Sequence, residues 1–254
     1  MECCFYLYVV LLFLPEIHVM AYILCIETST SICSVALVKD GKVIAARQDN
    51  EGNSHANRLT VLIDELFGDS AVPVGLSDID AVAVSSGPGS YTGLRIGVST
   101  AKGICFALDK PLIAIPSLAV LAWPVVKRYS EESEEGESWF CPMIDARRME
   151  VYTAMFDRKM EQKRATSADI IDENSYRDIL DVRSVFFFGN GAEKCKDALK
   201  HPNAIFPADE GPLARNMASL ANDAWNNKKF EDVAYFEPFY LKDFIATIPK
   251  RKIL

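Results

Sequence analysis

The residue types best suited to chemistry lie in one stretch, Ser85–Gly97, which reads Ser-Ser-Gly-Pro-Gly-Ser-Tyr-Thr-Gly-Leu-Arg-Ile-Gly. An apolar run, Ile79–Val84, leads into it, and a helical pattern, Leu94–Leu108, follows it. Glycine permits sharp turns and close backbone approach, Ser90 and Thr92 can cap the helix, and free N–H groups at a helix start attract anions. The stretch therefore predicts either an anion-binding turn or only a tight connection between strand and helix.

Other chemically capable residues are few and scattered. The three histidines lie far apart, and no cluster of His and Cys has the spacing of metal ligands, so no metal site is predicted. The seven cysteines are an odd number without a Cys-x-x-Cys motif, which favours buried thiols in a reducing compartment. The net charge of −8 argues against strong binding of nucleic acid by this chain alone.

The first nineteen residues contain an apolar run, Phe5–Leu14, that is too short to span a bilayer. A signal peptide would need a basic start, where Glu2 stands, and a cleavage site with small residues, which the run lacks. Met20-Ala-Tyr-Ile-Leu has the pattern of a natural start followed by a first strand. We therefore expect Met20 to be the initiator, residues 1–19 to be mis-annotated upstream sequence, and the protein to be cytoplasmic without membrane contact.

Two similar series of elements are predicted, in residues 20–129 and 139–254, and an acidic linker at residues 130–138 separates them. Each series has antiparallel strands followed by alternating helices and strands, although the third strand of the second series is poorly marked within residues 158–172. The first series is predicted as strands Tyr22–Ile26, Ser34–Val38 and Lys42–Arg47, helix His55–Phe67 capped by Ser54, strand Ile79–Val84, helix Leu94–Leu108, strand Leu112–Ile115 and helix Ser117–Arg128. The second is predicted as strands Trp139–Ile144 and Val151–Phe156, helix Tyr176–Leu180, strand Val185–Phe188, helix Ala192–Leu199 and a last helix from Gly211 to Asn226. This repetition predicts an α/β fold of two duplicated subdomains with a ligand cleft between them.

Three motifs suggest a family. The segments Ile23-Leu-Cys-Ile-Glu-Thr-Ser-Thr, Ser86-Gly-Pro-Gly-Ser-Tyr-Thr-Gly-Leu-Arg-Ile-Gly and Pro111-Leu-Ile-Ala-Ile-Pro-Ser-Leu resemble the TsaB family, the partner subunits in bacterial synthesis of tRNA threonylcarbamoyladenosine. Ile144-Asp-Ala-Arg-Arg-Met-Glu-Val-Tyr and Phe239-Tyr-Leu-Lys are also similar to that family. The resemblance implies the actin-like ATPase fold, which is related to ribonuclease H and holds nucleotide between two α/β subdomains.

The resemblance also implies that this chain lacks the catalytic apparatus of TsaD, the paralogue of TsaB. TsaD-like proteins hold a metal with a His-x-x-x-His pair, and the aligned residues here are Ser117 and Leu121. The Asp-x-Gly turns that grip phosphate in active members of the fold are replaced by Glu27-Thr-Ser-Thr and Asp145-Ala-Arg-Arg, without glycine. We expect no catalytic residue and no cofactor required by this chain, with ATP bound at the level of a complex. The candidates for residual nucleotide contact are Thr28, Ser29, Gly189 and Gly191.

Asp145 has two interpretations. By its place in the sequence it is the best candidate for a catalytic carboxylate, and the alternative is a turn residue paired with Arg147 or Arg148. We favour the turn residue.

A partner surface is the function that the resemblance assigns to the first two helices. On the second helix, Gly93, Gly97, Ala101 and Cys105 recur at every fourth position and form a stripe of small residues. Glycine inside a helix costs about 1 kcal/mol relative to alanine, so the stripe indicates close approach, either by a partner or by the same chain. The predicted interface residues are His55, Leu59, Gly93, Gly97, Ala101 and Cys105, and Gly97→Leu is expected to disrupt pairing without unfolding the monomer.

The function implied is that of a non-catalytic scaffold subunit in tRNA threonylcarbamoyl transfer. It would support a TsaD-like transferase that acts on the adenosine beside the anticodon, with a TsaE-like ATPase completing the assembly and tRNA bound only through the complex. Pairing with a second copy of the chain remains open. The alternative is an ATP-dependent small-molecule kinase of the same fold that uses Asp145, and a metallopeptidase (glycoprotease) has the least support because it needs a metal.

Overall fold

A computed structural model describes residues 20–50, 55–132 and 138–242 of the chain. The predictions for residues 1–19, for the helix cap at Ser54 and for the centre of the acidic linker therefore lie outside the described residues. Within the described ranges, no helix combines the length and the apolar character that crossing a membrane requires.

The first five strands form one mixed sheet. They are β1 (Tyr22–Glu27), β2 (Cys33–Lys39), β3 (Lys42–Asp49), β4 (Ala81–Ser85) and β5 (Leu112–Ile115). Their order is β3-β2-β1-β4-β5, in which β1–β2 and β2–β3 are antiparallel while β1–β4 and β4–β5 are parallel. The β2–β3 hairpin turns at Asp40 and Gly41, both of which have positive φ, a conformation typical of an Asp-Gly turn.

The second five strands repeat this arrangement. They are β6 (Trp139–Asp145), β7 (Glu150–Phe156), β8 (Gln162–Ile170), β9 (Val185–Phe188) and β10 (Ala204–Ile205). Their order is β8-β7-β6-β9-β10, with the same alternation of antiparallel and parallel pairs as in the first sheet. The prediction of a duplicated α/β unit, as in the actin-like ATPase fold, is therefore confirmed.

The described part of the chain has five α-helices: α1 (His55–Phe67), α2 (Tyr91–Leu108), α3 (Ser117–Glu132), α4 (Arg177–Leu180) and α5 (Ala218–Asn226). Helix α2 begins before the predicted Leu94 because the Ser90 side chain accepts a hydrogen bond from the Gly93 N–H and caps the first turn. Helix α3 continues into the acidic segment as far as Glu132.

Two predicted helices in the second half are shorter than the sequence suggested. The expected helix 192–199 is a single 3-10 turn at Glu193–Cys195, a tight geometry that is used in short pieces. The last helix does not begin at Gly211. It is preceded by a 3-10 turn at Ala214–Met217, and Gly211 itself has φ of 79°, which is not helical.

Each half of the chain contributes a helix that packs on the sheet of the other half. Alternate side chains of β1 face opposite sides of the first sheet, so that Leu24 packs with α1 and α2 while Ile23 packs with α5. Helix α5 therefore covers the first sheet although it follows the second sheet in sequence. Helix α3 follows the first sheet but packs on the second, where Leu121 joins Phe140 and Phe188. The predicted boundary at residue 139 separates the sheets, whereas each half contributes a helix to the other.

Candidate functional site

The glycine turn between β4 and α2 is closed by other parts of the same chain. The Gly87 N–H donates to Ser117 Oγ at 3.1 Å, and the Ser117 N–H donates to the Gly87 carbonyl at 3.0 Å. From the far end of the chain, the Phe239 N–H donates to the Ser86 carbonyl at 2.7 Å. The turn after β4 is therefore hydrogen-bonded both to the start of α3 and to Phe239 near the end of the described chain.

The loop after β1 lies directly under the start of α2. The Ser90 N–H donates to the Ser29 carbonyl at 2.7 Å, and Thr28 and Ser29 are fully buried. A Cβ atom added at Gly93 or at Gly97 would come closer than 3.0 Å to the Thr28 carbonyl or hydroxyl oxygen, a distance that real Cβ atoms do not adopt. The two glycines therefore allow this loop to pack against the helix.

This packing corrects the assignment of the small-residue stripe to a partner. The four stripe residues on α2 face inward, and Ala101 and Cys105 belong to the core between α1, α2 and the first sheet. Leu59 of α1 is buried in the same core. His55 is half-buried, with Nε2 2.8 Å from the Thr30 carbonyl oxygen. The close approach that the glycines indicated is thus intramolecular.

Burial of the loop after β1 also changes the properties of Glu27. Its Oε1 accepts a hydrogen bond from the Ser29 N–H at 2.6 Å, whereas Oε2 has no hydrogen-bond partner in the described part of the chain. Burial raises the pKa of the Glu27 carboxyl to about 7, an effect that the neighbouring Ser29 and Ser85 groups only partly oppose. Thr28 Oγ1 and Ser29 Oγ likewise lack partners among the described residues. The side chains of Thr28 and Ser29 are thus enclosed by the chain itself.

The glycine turn after β9, Gly189-Asn190-Gly191, is hydrogen-bonded to β6. Asn190, between the candidates Gly189 and Gly191, accepts the Asp145 N–H on its side-chain oxygen at 2.9 Å. The Gly191 N–H donates to the Met143 carbonyl at 2.9 Å.

Asp145 acts as a turn residue, with a different partner from the one expected. Its Oδ1 accepts a hydrogen bond from the backbone N–H of Arg147 at 3.0 Å. Its ion pair is with Lys194, rather than with the guanidinium group of Arg147 or Arg148. Lys194 also donates to the Glu150 carbonyl at 2.7 Å, so Asp145 is held within a local network at the β6–β7 hairpin.

Helix α3 connects the glycine turns of the two halves. Ser117, at its start, is hydrogen-bonded to Gly87 in the first half. One turn later, Leu121 is buried and lies against Gly189 of the second half, where a Cβ atom would overlap the leucine side chain. The two residues that the resemblance pairs with the metal ligands of TsaD-like proteins are thus engaged in a hydrogen bond and in packing. Within the ranges that the structure covers, no group of three or more His, Cys, Asp or Glu residues could hold a metal ion.

The opposite side of α2 is exposed, and sequence reasoning overlooked it. Phe106 is 86 % exposed, and a Cβ at Gly103 would meet no atom within 4 Å. Ser99 lies on the same side of the helix one turn before Gly103, and Val61 is exposed on the adjacent helix α1. We call these four residues, Val61, Ser99, Gly103 and Phe106, the outer face. In the sequence, Ser99, Gly103 and Phe106 follow one another at intervals of four and three residues. This helical spacing of small residues and an aromatic residue could have identified the outer face.

The C-terminal segment, residues 234–240, lies beside the outer face along α2. Lys102 Nζ donates to the carbonyl oxygens of Ala234 and Phe236, at 3.1 Å and 2.9 Å. The Arg95 guanidinium lies 4.3 Å from the centre of the Tyr91 ring and donates to the Tyr240 hydroxyl at 3.3 Å. These contacts fix the position of the segment beside the exposed surface.

Comparison with known proteins shows both family and fold. The family model TsaD, described as tRNA N6-adenosine threonylcarbamoyltransferase, matches residues 47–179. The tRNA threonylcarbamoyladenosine biosynthesis protein TsaB of Escherichia coli is 29% identical over 88% of this chain and 96% of its own length. The Bacillus subtilis protein of the same name is 29% identical over 87% and 93%.

Two further comparisons differ in how much of each chain they cover. A tRNA N6-adenosine threonylcarbamoyltransferase of Staphylococcus aureus is 35% identical, but over only 38% of this chain and 33% of its own length. The structure of YeaZ from Pseudomonas aeruginosa superposes with a TM-score of 0.72 and 29% identity, over 87% of this chain and all of that one. The similarity to the YeaZ structure and to the TsaB proteins thus spans nearly whole chains, whereas the similarity to the transferase is partial.

Proposed function

This chain belongs to the TsaD family and resembles the TsaB proteins over most of its length, and we propose that it acts in the synthesis of tRNA threonylcarbamoyladenosine as a non-catalytic partner subunit. It pairs with a TsaD-like subunit and holds that subunit in its active conformation. The TsaD-like subunit transfers the threonylcarbamoyl group to the adenosine beside the anticodon. A TsaE-like ATPase completes the assembly, and tRNA reaches this chain only within the complex.

The observation that carries this proposal is the outer face of α1 and α2. Phe106 exposes 86 % of its surface, and with Val61 it leaves apolar surface on the two helices that a partner can cover. Beside it, Ser99 and Gly103 have small side chains that allow another helix to approach closely. The outer face therefore fits a helical partner, and the TsaD-like paralogue, built on the same fold, offers such helices.

The internal packing supports a role without catalysis of its own. Ser117 and Leu121 occupy the positions of the paralogue's metal ligands, and both are committed to contacts within the chain. The side chains of Thr28 and Ser29 are buried beneath α2. Asp145 is paired with Lys194, which supports the turn residue over the catalytic carboxylate that a small-molecule kinase would need.

Pairing can be tested by co-elution of the purified chain with the TsaD-like subunit of the same organism. Phe106→Asp places a charge on the outer face and is expected to abolish co-elution while leaving the melting temperature unchanged. Val182→Asp is the matched control, because Val182 is 70 % exposed but lies in the second half of the chain. Co-elution that survives Phe106→Asp would contradict the proposed surface. A wild-type chain that forms only dimers with itself would contradict the proposed partner.

A further inference from the structure

A basic groove lies between α3 and α5, beside the turn that joins β2 to β3. It has a volume of 420 Å³, and the residues that give it its chemical character are Trp123, Lys127, Arg128, Arg215, Asn216 and Ser219. Three of these side chains are cationic, and the described residues that line the groove include no carboxylate. The whole chain has 35 acidic residues against 27 lysines and arginines, so this concentration of positive charge departs from the average surface.

The three cations of the groove differ in their interaction partners. Lys127 and Arg128 are exposed near the end of α3, and an Arg128 nitrogen donates to the neutral carbonyl of Ala208 at 3.4 Å. Arg215 is held by an ion pair with Glu210 and a hydrogen bond to Gln48 Oε1 at 3.3 Å. Glu210 therefore offsets the charge of Arg215, and the positive charge that lines the groove comes mainly from Lys127 and Arg128.

The groove also offers neutral contacts. Asn216 and Ser219 supply hydrogen-bond donors, and Trp123, one helical turn before Lys127, places a half-buried aromatic ring at the wall. Cationic side chains combined with amide and hydroxyl donors are the groups that contact phosphate and sugar in nucleic-acid complexes. An aromatic ring adds a surface against which a base can stack.

The groove and the outer face lie on opposite sides of the first sheet. Helices α1 and α2 pack against the side of β1 that carries Leu24 and Ile26, whereas α5 packs against the side that carries Ile23 and Cys25. A subunit bound to the outer face would therefore leave the groove open to a second ligand.

We propose that the basic groove binds phosphate groups of the tRNA backbone while this chain is paired with its TsaD-like partner. The identity of the RNA rests on the proposed function, whereas the preference for phosphate follows from the residues of the groove. Because the rest of the chain is acidic and repels a polyanion, RNA contact is concentrated at this groove. The chain then acts in substrate positioning as well as in scaffolding.

The test measures tRNA affinity of the paired chain at several salt concentrations. Lys127→Glu/Arg128→Glu is expected to weaken binding by about tenfold or more and to lower the salt dependence by about two counterions, because each lysine or arginine contact to phosphate releases about one. The matched control is Lys159→Glu/Lys200→Glu, the same charge change at exposed lysines of the second half, which is expected to leave affinity unchanged. Glu210→Gln frees Arg215 and is expected to strengthen binding.

Three results would overturn the proposal. The first is a groove variant that binds tRNA like the wild type, and the second is a control variant that loses as much affinity. A groove-dependent signal with ATP but none with tRNA would assign the site to a nucleotide instead. Co-elution with the TsaD-like subunit is recorded on the same samples, so that a failure of pairing is distinguished from a failure of RNA binding.

Discussion

Thr28 lies directly beneath Gly97, and its hydroxyl oxygen fills the space that a side chain at position 97 would need. This contact joins the loop after β1 to the middle of α2. It explains why glycine occurs inside the helix. It also shows that this part of the small-residue stripe packs inside the chain and not against a partner.

The first prediction concerns Gly97. Because a Cβ atom there would overlap Thr28, Gly97→Ala is expected to lower the free energy of unfolding by about 3 kcal/mol, and Gly97→Leu to prevent folding. This replaces the expectation that Gly97→Leu affects pairing alone. Urea unfolding followed by circular dichroism measures the loss.

Gly103 provides the matched control on the same helix. Its Cβ position is open, so Gly103→Ala is expected to stabilise the chain by up to about 1 kcal/mol through helix propensity. Equal stability changes at the two glycines would contradict the packing of Thr28 against Gly97.

The second prediction concerns pH. The pKa of Glu27 is raised from 4.5 to about 7 in the folded chain, so its neutral form is favoured by folding. Its contribution to stability is complete below pH 4.5 and is lost as pH rises through 7, by about 3 kcal/mol in total. Glu27→Gln removes this dependence, because the amide is neutral throughout and its N–H groups can donate to Ser29 Oγ.

The measurement is the difference in unfolding free energy between wild type and Glu27→Gln from pH 4.5 to 8. We expect the variant to gain on the wild type between about pH 4.5 and 7, and the difference to level off at higher pH. Glu193→Gln is the control, since its side chain is 80 % exposed. A difference that stays constant with pH would show that Glu27 ionises as a solvent-exposed carboxyl does.

The third prediction concerns Ser117. Ser117→Ala removes the acceptor of the buried Gly87 N–H, which is expected to cost about 1–3 kcal/mol of stability. Amide hydrogen exchange at Gly87 should accelerate together with the loss of stability. Unchanged exchange would indicate that the hydrogen bond does not hold the glycine turn.

The fourth prediction concerns Leu121, which packs between the two halves. Leu121→Ala leaves a cavity beside Gly189 and is expected to cost about 2–5 kcal/mol. Leu220→Ala, at a leucine of α5 that is only partly buried, is expected to cost less. Thermal unfolding of the two variants tests the order, and a larger loss for Leu220→Ala would contradict the role of α3 as the link between the halves.

Local patterns were sufficient for much of the fold. Helix α1 and strands β5 and β9 have the predicted bounds, because buried positions recur regularly along α1 and the two strands are short, continuous apolar runs. Strand β8 was poorly marked because it is an edge strand whose residues, Gln-Lys-Arg-Ala-Thr-Ser-Ala-Asp-Ile, are mostly polar. Edge strands can be polar because one side of their backbone has no neighbouring strand.

Contacts between distant segments could not be predicted in this way. The Ala214 N–H, just before α5, donates to Ser34 Oγ in β2 at 2.9 Å, and no local pattern pairs these residues. The same limit affected the candidate site. Periodicity identified the small-residue side of α2 correctly. Its two glycines, Gly93 and Gly97, proved to pack against Thr28 of the same chain.

Reconstituted tRNA modification tests the central claim most directly. The TsaD-like and TsaE-like subunits, the threonylcarbamoyl donor, ATP and tRNA are assayed with this chain, without it, and with its Phe106→Asp variant. We predict modification only when the wild-type chain is present, and none when the chain is incubated alone with donor and tRNA. Modification by the chain alone, or undiminished modification when it is omitted, would contradict its role as a non-catalytic partner subunit.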